Sequence, residues 1–129
     1  MYEITVTRYF TAKHGLRNFK GGDEPIHEHE WRVDVTLTSS TVDASGCVAD
    51  FHDVDRAIDE AIAPFRNHSF NDIPPFDRVS PSAENIARHL FDALFPQLAT
   101  GTCSLHRIAA WEDATHCATY TTFVGPSRH

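Results

Sequence analysis

Polar and apolar residues alternate along two stretches of this chain. In residues 2–12, Tyr2, Ile4, Val6, Phe10 and Ala12 share one parity, and Glu3, Thr5, Thr7 and Thr11 take the other. Arg8 interrupts the apolar parity. Successive residues of a strand face opposite sides, so the pattern predicts a half-buried β-strand. A polar loop follows, with Gly21-Gly22-Asp23 as its turn signal. Residues 27–38 alternate again. His27, His29, Trp31, Val33, Val35 and Leu37 fall on one face, and Glu28, Glu30, Arg32, Asp34, Thr36 and Thr38 on the other.

From Asp53 the period lengthens. Val54, Ile58, Ile62 and Phe65 recur every three or four residues, which predicts an amphipathic helix ended by Pro64 and the Asn67–Pro75 stretch. Ser80-Pro81 reads as an N-cap followed by proline at the first position of a second helix. Its apolar stripe is Ile86, Leu90, Leu94 and Phe95, and Thr100-Gly101-Thr102 breaks it. Residues 103–112 and 116–124 predict two more strands joined by a turn at Asp113–Thr115. The order ββααββ implies an α+β fold, with two helices on one face of a four-stranded antiparallel sheet. No repeat or Gly/Ser linker divides the sequence, so residues 1–129 are read as one domain.

Charge and composition then remove whole classes of function. The chain carries 11 Lys+Arg against 18 Asp+Glu, a net charge of -7, which is the wrong sign for a general nucleic-acid binder. No apolar run approaches the roughly 20 residues that span a bilayer. Met1-Tyr2-Glu3-Ile4 lacks the basic flank and apolar core of a secretory leader. Three cysteines, Cys47, Cys103 and Cys117, without CxxC spacing, read as free packing thiols in a reducing cytosol. The unusual count is nine histidines.

His27-Glu28-His29 places two imidazoles on the same side of a strand, where they can converge on one ion. His14 continues the parity of Ile4, Val6 and Phe10, so it can lie beside the pair if the first two strands are neighbours. Three histidines leave one tetrahedral position open, the arrangement of a catalytic zinc. The alternative is three separately satisfied histidines. Trp111-Glu112-Asp113 ends the third strand, and its carboxylate can accept two N–H bonds from a purine- or pterin-like ring or simply lie in a solvated turn. His68, after Asn67 in the loop beyond the first helix, is either a general base or a helix-terminal imidazole.

These segments together resemble the 6-pyruvoyl-tetrahydropterin synthase and 6-carboxy-tetrahydropterin synthase family. Phe10-Thr11-Ala12-Lys13-His14-Gly15-Leu16 is similar to its first zinc-histidine segment. His27-Glu28-His29-Glu30-Trp31 is similar to its HGH-plus-aromatic segment, with Glu28 in place of the glycine. Val48-Ala49-Asp50-Phe51 resembles the entry to its first helix, and Ser80-Pro81-Ser82-Ala83-Glu84-Asn85 the start of its second. Trp111-Glu112-Asp113-Ala114 resembles the strand end whose glutamate anchors the pterin. The resemblance implies the tunnelling fold, usually a hexamer of two trimers with sites between subunits. The polar parity (Glu3, Thr5 and Thr7 with Glu30, Arg32 and Asp34) would then line the barrel interior. It also implies a lyase that uses Zn2+, held by His14, His27 and His29, to act on the side chain of 7,8-dihydroneopterin triphosphate.

The same resemblance marks two departures. The family's catalytic cysteine lies in the loop before the HGH segment. Here that loop is Lys20-Gly21-Gly22-Asp23-Glu24-Pro25-Ile26, so Asp23 or Glu24 is the available proton acceptor, with Glu24 favoured by reach and by closeness to His27. Some family members carry glutamate there and cleave the side chain to a hydroxymethylpterin. The family's Asp-His pair corresponds to Asn67-His68 only if one residue is deleted afterwards. Lys13, Arg17 and Lys20 offer positive charge to an anionic substrate, or are solvated loop cations. Two functions follow: a zinc-dependent lyase acting on a dihydropterin side chain, or a pterin-binding homologue without the proton-transfer set.

Overall fold

The computed structural model describes residues 1–122. Strand β1 (Tyr2–His14) and strand β2 (His27–Ser39) are followed by helix α1 (Phe51–Ile62), a 3-10 turn at Phe70–Asp72, and helix α2 (Ala83–Leu98). Strands β3 (Ser104–Trp111) and β4 (Cys117–Thr121) complete the chain. The four strands form one sheet in the order β1-β2-β3-β4, antiparallel throughout. This is the α+β, ββααββ architecture expected from the periodicity. The end of the strand expected over residues 116–124 lies outside the described residues.

The alternation sorts the sheet as read. Val6, Phe10, Ala12, Trp31, Val33, Val35 and Leu37 are buried under the helices. Val54, Ala57, Ile58 and Ile62 of α1 and Ile86, Ala87, Leu90, Phe91, Leu94 and Leu98 of α2 cover them. Each large apolar side chain removed from water in this layer contributes about 1.5–3 kcal/mol. Arg8, the break in the apolar parity, does face the helices. It meets Asp59 of α1 through two hydrogen bonds of 2.9 and 2.8 Å, so a bidentate ion pair replaces an apolar contact at the edge of the core.

Helix boundaries moved where capping chemistry decided them. Asp50 caps α1 by accepting from the His52 amide at 2.9 Å, so the helix starts at Phe51 and not Asp53. Ser82, not Ser80, caps α2, accepting from the Asn85 amide at 3.1 Å. Pro81 thus precedes the cap. Ser80 instead accepts from the Arg17 amide with its hydroxyl and from Asn85 Nδ2 with its carbonyl. Phe95, expected in the buried stripe, is 37% exposed, and Phe91 takes the inward position. Cys103, expected inside the third strand, precedes it and bridges to Thr100.

On the sheet's other face the polar parity forms a hydrogen-bonded layer. Asp34 accepts from Thr7 at 2.7 Å, from Trp111 Nε1 at 2.9 Å and from Arg32 at 3.0 and 3.1 Å. Burial would raise the Asp34 pKa, but these donors and the Arg32 charge prevail and hold it below the usual value. Thr36 is buried and shares a 2.8 Å hydrogen bond with Thr5.

Candidate metal centre

Strand register brings the histidines together. In the β1–β2 ladder His14 stands opposite His27, and Ala12 opposite His29. His14 and His27 are thus a direct cross-strand pair, with His29 one pleat repeat along on the same face. The ring centroids of the three lie 4.7–5.2 Å apart. One ring nitrogen of each converges, all within 4.8 Å of one another. Trp31 backs the group with its ring 4.9 Å from that of His14, and Phe70 backs Trp31 at 5.6 Å.

Two backbone carbonyls set the imidazole orientation. His14 Nδ1 lies 2.7 Å from the Pro81 carbonyl, and His27 Nδ1 lies 2.8 Å from the Pro25 carbonyl. A carbonyl only accepts, so both Nδ1 atoms carry a proton and Nε2 is the nitrogen each ring has left for a metal. Metal-ligating histidines are held in the same way, by a carbonyl on the ring nitrogen away from the metal. The Nε2 atoms of His14 and His29 are buried without a hydrogen-bond partner among the described residues. His14 is 1% exposed, and burial lowers its pKa, favouring the neutral ring a metal needs. The donor set fits a divalent metal with imidazole preference.

Glu112 reaches the same point from the end of β3. Its carboxylate lies 3.3 Å from His14 Nε2 and 4.0 Å from His29 Nε2. The β2–β3 ladder begins at Arg32 opposite Trp111, so the edge of β2 over His27–Trp31 is not covered by β3. A cleft of about 750 Å³ opens there, lined by His29, Trp111 and Glu112 and by Tyr9, Glu28, Glu30 and Arg32 of the polar face. That volume suits a bicyclic ring with a side chain.

A family model for 6-pyruvoyl tetrahydropterin synthase matches residues 3–122. The chain belongs to the 6-pyruvoyl tetrahydropterin synthase family. It is 30% identical to the "Putative 6-carboxy-5,6,7,8-tetrahydropterin synthase" of Archaeoglobus fulgidus over 91 residues, 70% of this chain and 74% of that one. It is 26% identical to the human 6-pyruvoyl tetrahydrobiopterin synthase over 117 residues, covering 88% of this chain and 79% of the human one. Among solved structures, the Caenorhabditis elegans 6-pyruvoyl tetrahydropterin synthase superposes with a TM-score of 0.77 at 20% identity, over 95% of this chain and 98% of that one. The Plasmodium vivax 6-pyruvoyl tetrahydropterin synthase does so at 0.75 and 17%, over 92% and 96%. The fold is the tunnelling fold of these synthases.

The residues expected to move protons are placed differently from the ligands of this synthase fold. Glu24 lies in the β1–β2 loop, half-buried, with its carboxylate accepting from the Leu16 amide at 3.1 Å. Asp23 is exposed and accepts from the Asn18 amide at 3.1 Å. His68 is exposed, its Nδ1 2.7 Å from the Arg66 carbonyl, and its own carbonyl accepts from Lys13 at 2.9 Å along the outer edge of β1. None of the three has a contact with the histidine group among the described residues. Asn67 takes a left-handed conformation, φ 62°, which asparagine tolerates.

Sequence reasoning missed Asn71. It donates to the Gly15 carbonyl and accepts from the Gly15 amide, both at 2.9 Å, directly after His14. Gly15 lies so close to the Glu24 carbonyl that a Cβ there would collide with it. Arg17 is no free cation for substrate, since its guanidinium donates to the Asn71 and Phe76 carbonyls at 3.1 and 2.8 Å. Lys13 is exposed, and Lys20 lies over the Phe19 ring in the exposed turn. Cys47 and Cys117 are exposed, Cys103 is buried, and none joins the histidine group. Burial raises the Cys103 thiol pKa, so it is a packing residue.

Proposed function

We propose that this chain is a zinc-dependent lyase acting on the side chain of dihydroneopterin or its triphosphate. The observation that carries the reading is the convergence of His14, His27 and His29 with two Nδ1 atoms locked on carbonyls, and with His29 lining a ring-sized cleft. Bound zinc would supply Lewis acidity toward the side-chain oxygens. Glu112 anchors the ring by accepting two N–H bonds, charge-assisted and therefore stronger than neutral contacts. Glu24 takes and returns the side-chain proton in place of a thiolate, with the Leu16 amide holding its carboxylate. Asp23 is the alternative acid, and His68 a further proton carrier. Lys13 and Lys20 remain for the triphosphate.

A carboxylate in this role has a parallel. Plasmodium vivax 6-pyruvoyltetrahydropterin synthase, 19% identical here, has been solved with a glutamate described as a catalytic residue replaced by cysteine or by alanine. The 6-carboxy and 6-pyruvoyl names of the relatives leave the product open between branches. We propose further that the protein assembles as a hexamer of two trimers in the cytoplasm, the sheets closing into a barrel lined by the Asp34 layer. Among the described residues no helix is long and apolar enough to cross a membrane.

The second reading, a pterin-binding homologue, draws on the use of both acids as acceptors for loop amides. Product analysis of zinc-loaded protein with dihydroneopterin and with its triphosphate separates the two. The lyase reading expects a side-chain-modified pterin, lost in Glu24→Gln. Tight pterin binding with neither substrate consumed would sink it in favour of the second.

A further inference from the structure

We propose that Glu112 is itself a metal ligand while the ring site is empty, and that a pterin draws it off only by supplying side-chain oxygens in exchange. The inference rests on the zinc and ring-anchor roles proposed above. His14 donates through Nδ1 to Pro81, which leaves Nε2 as the nitrogen that faces Glu112. A carboxylate oxygen stands 3.3 Å from it, and the other carboxylate oxygen 4.0 Å from His29 Nε2. Neither distance is a hydrogen bond, and a cation shared by the carboxylate and the two imidazoles would hold all three groups in this arrangement.

The 3.3 Å separation from His14 Nε2 is the one a shared metal would set. Zinc–nitrogen and zinc–oxygen bonds of about 2.0–2.1 Å at a tetrahedral angle put neighbouring ligand atoms roughly 3.3 Å apart. No hydrogen bond among the described residues competes for the Glu112 carboxylate, which is 33% exposed toward the cleft. Its backbone is fixed. The Glu112 amide donates to the His116 carbonyl at 3.1 Å, and Asp113 pins the turn by accepting from the Thr115 and His116 amides at 2.9 Å. Exchange between metal and ring is therefore a side-chain rotation of one glutamate.

A carboxylate cannot satisfy the metal and two ring N–H groups at once. A pterin carrying hydroxyls at position 6 replaces the lost ligand as it takes Glu112. A pterin without that side chain strips the metal of a ligand and returns nothing. The metal centre thus selects for the side chain before any proton moves.

The test uses cobalt(II)-loaded protein, with metal affinity read by chelator competition and coordination by visible absorption. Wild type, Glu112→Gln, Glu112→Ala and His27→Ala are compared, with neopterin and with side-chain-free pterin as probes. Both Glu112 variants should bind cobalt at least tenfold more weakly and lose the intense four-coordinate band. Side-chain-free pterin should bind metal-free wild type at least tenfold more tightly than loaded protein, and should weaken cobalt by the same factor. Neopterin should show no such antagonism. Equal cobalt affinity and spectra in wild type and both Glu112 variants would overturn the proposal and leave the histidine centre intact. Cobalt uptake absent in wild type, or unchanged in His27→Ala, would overturn the histidine centre itself.

Discussion

The three metal-binding candidates stand on paired strands, whereas Asp23, Glu24 and His68 stand in loops. The difference shows in what fixes each group. His14 and His27 face one another because the β1–β2 ladder runs unbroken from Tyr2 opposite Ser39 to His14 opposite His27. A slip of one residue would turn every side chain of a strand to the other face, exposing Trp31 and Val33, so core burial enforces the register of the metal site. The loop acids have no such enforcement. Their positions depend on a few hydrogen bonds, chiefly those of Asn71 and Ser80 across to residues 15–17. The candidate metal ligands are thus tied to the fold, and the candidate proton carriers to a locally pinned loop.

The comparison breaks most completely at the ligands. Replacing His27 and His29 by alanine should abolish stoichiometric zinc, measured by metal analysis, while far-UV circular dichroism stays native. Zinc retained in the double variant would put the metal elsewhere. Next in size, Glu24→Gln should lower turnover by about 10²–10⁴-fold, the usual contribution of a general acid or base. Asp23→Asn should do little, and the reverse order would move the role to Asp23.

Asn71→Ala tests the pinning itself. Losing two hydrogen bonds at about 1 kcal/mol each should cost roughly 2 kcal/mol of stability in urea titration. Zinc stoichiometry should survive while turnover falls, which is the signature of a loosened loop on an intact ladder. Loss of both together would erase the distinction between the two regions. Glu112→Gln places a donor against a ring donor, so neopterin affinity measured by calorimetry should drop at least tenfold, about 1.4 kcal/mol.

The smallest effect is in pH. Burial lowers the His89 pKa on α2, where its ring packs 5.7 Å from Phe65 and 5.4 Å from Phe76, and lowers that of His14. The unfolded chain, with an ordinary histidine pKa of about 6.5, then binds protons that the folded protein refuses. Stability of the metal-free protein should be full above pH ~6.5 and decline as the pH falls below it. His89→Phe should flatten that decline, and an unchanged pH profile would remove His89 from the account.

Much of this was legible before folding. Alternation alone assigned β1 and β2, put His14, His27 and His29 on one face, and put Asp34 and its neighbours on the other. The three- and four-residue spacing located both helices, and the Trp111-Glu112 strand end marked the residue proposed as ring anchor. These features are local, because the two-residue and 3.6-residue repeats are properties of the backbone itself. Arg8 looked like an error in the alternation until Asp59, 51 residues along, supplied its partner. The same holds for Arg17, which the sequence offers as a cation for substrate and the fold spends on two carbonyls.

What only the tertiary structure decided is the chemistry of the imidazoles. The carbonyl that holds His14 Nδ1 and leaves Nε2 facing the other imidazoles comes from Pro81, 67 residues away, just before the Ser82 cap of α2. The carboxylate facing that nitrogen comes from the end of a third strand. Spacing along the chain places histidines on a face. Which nitrogen carries the proton depends on hydrogen-bond partners that distant segments supply only when the helices pack on the sheet.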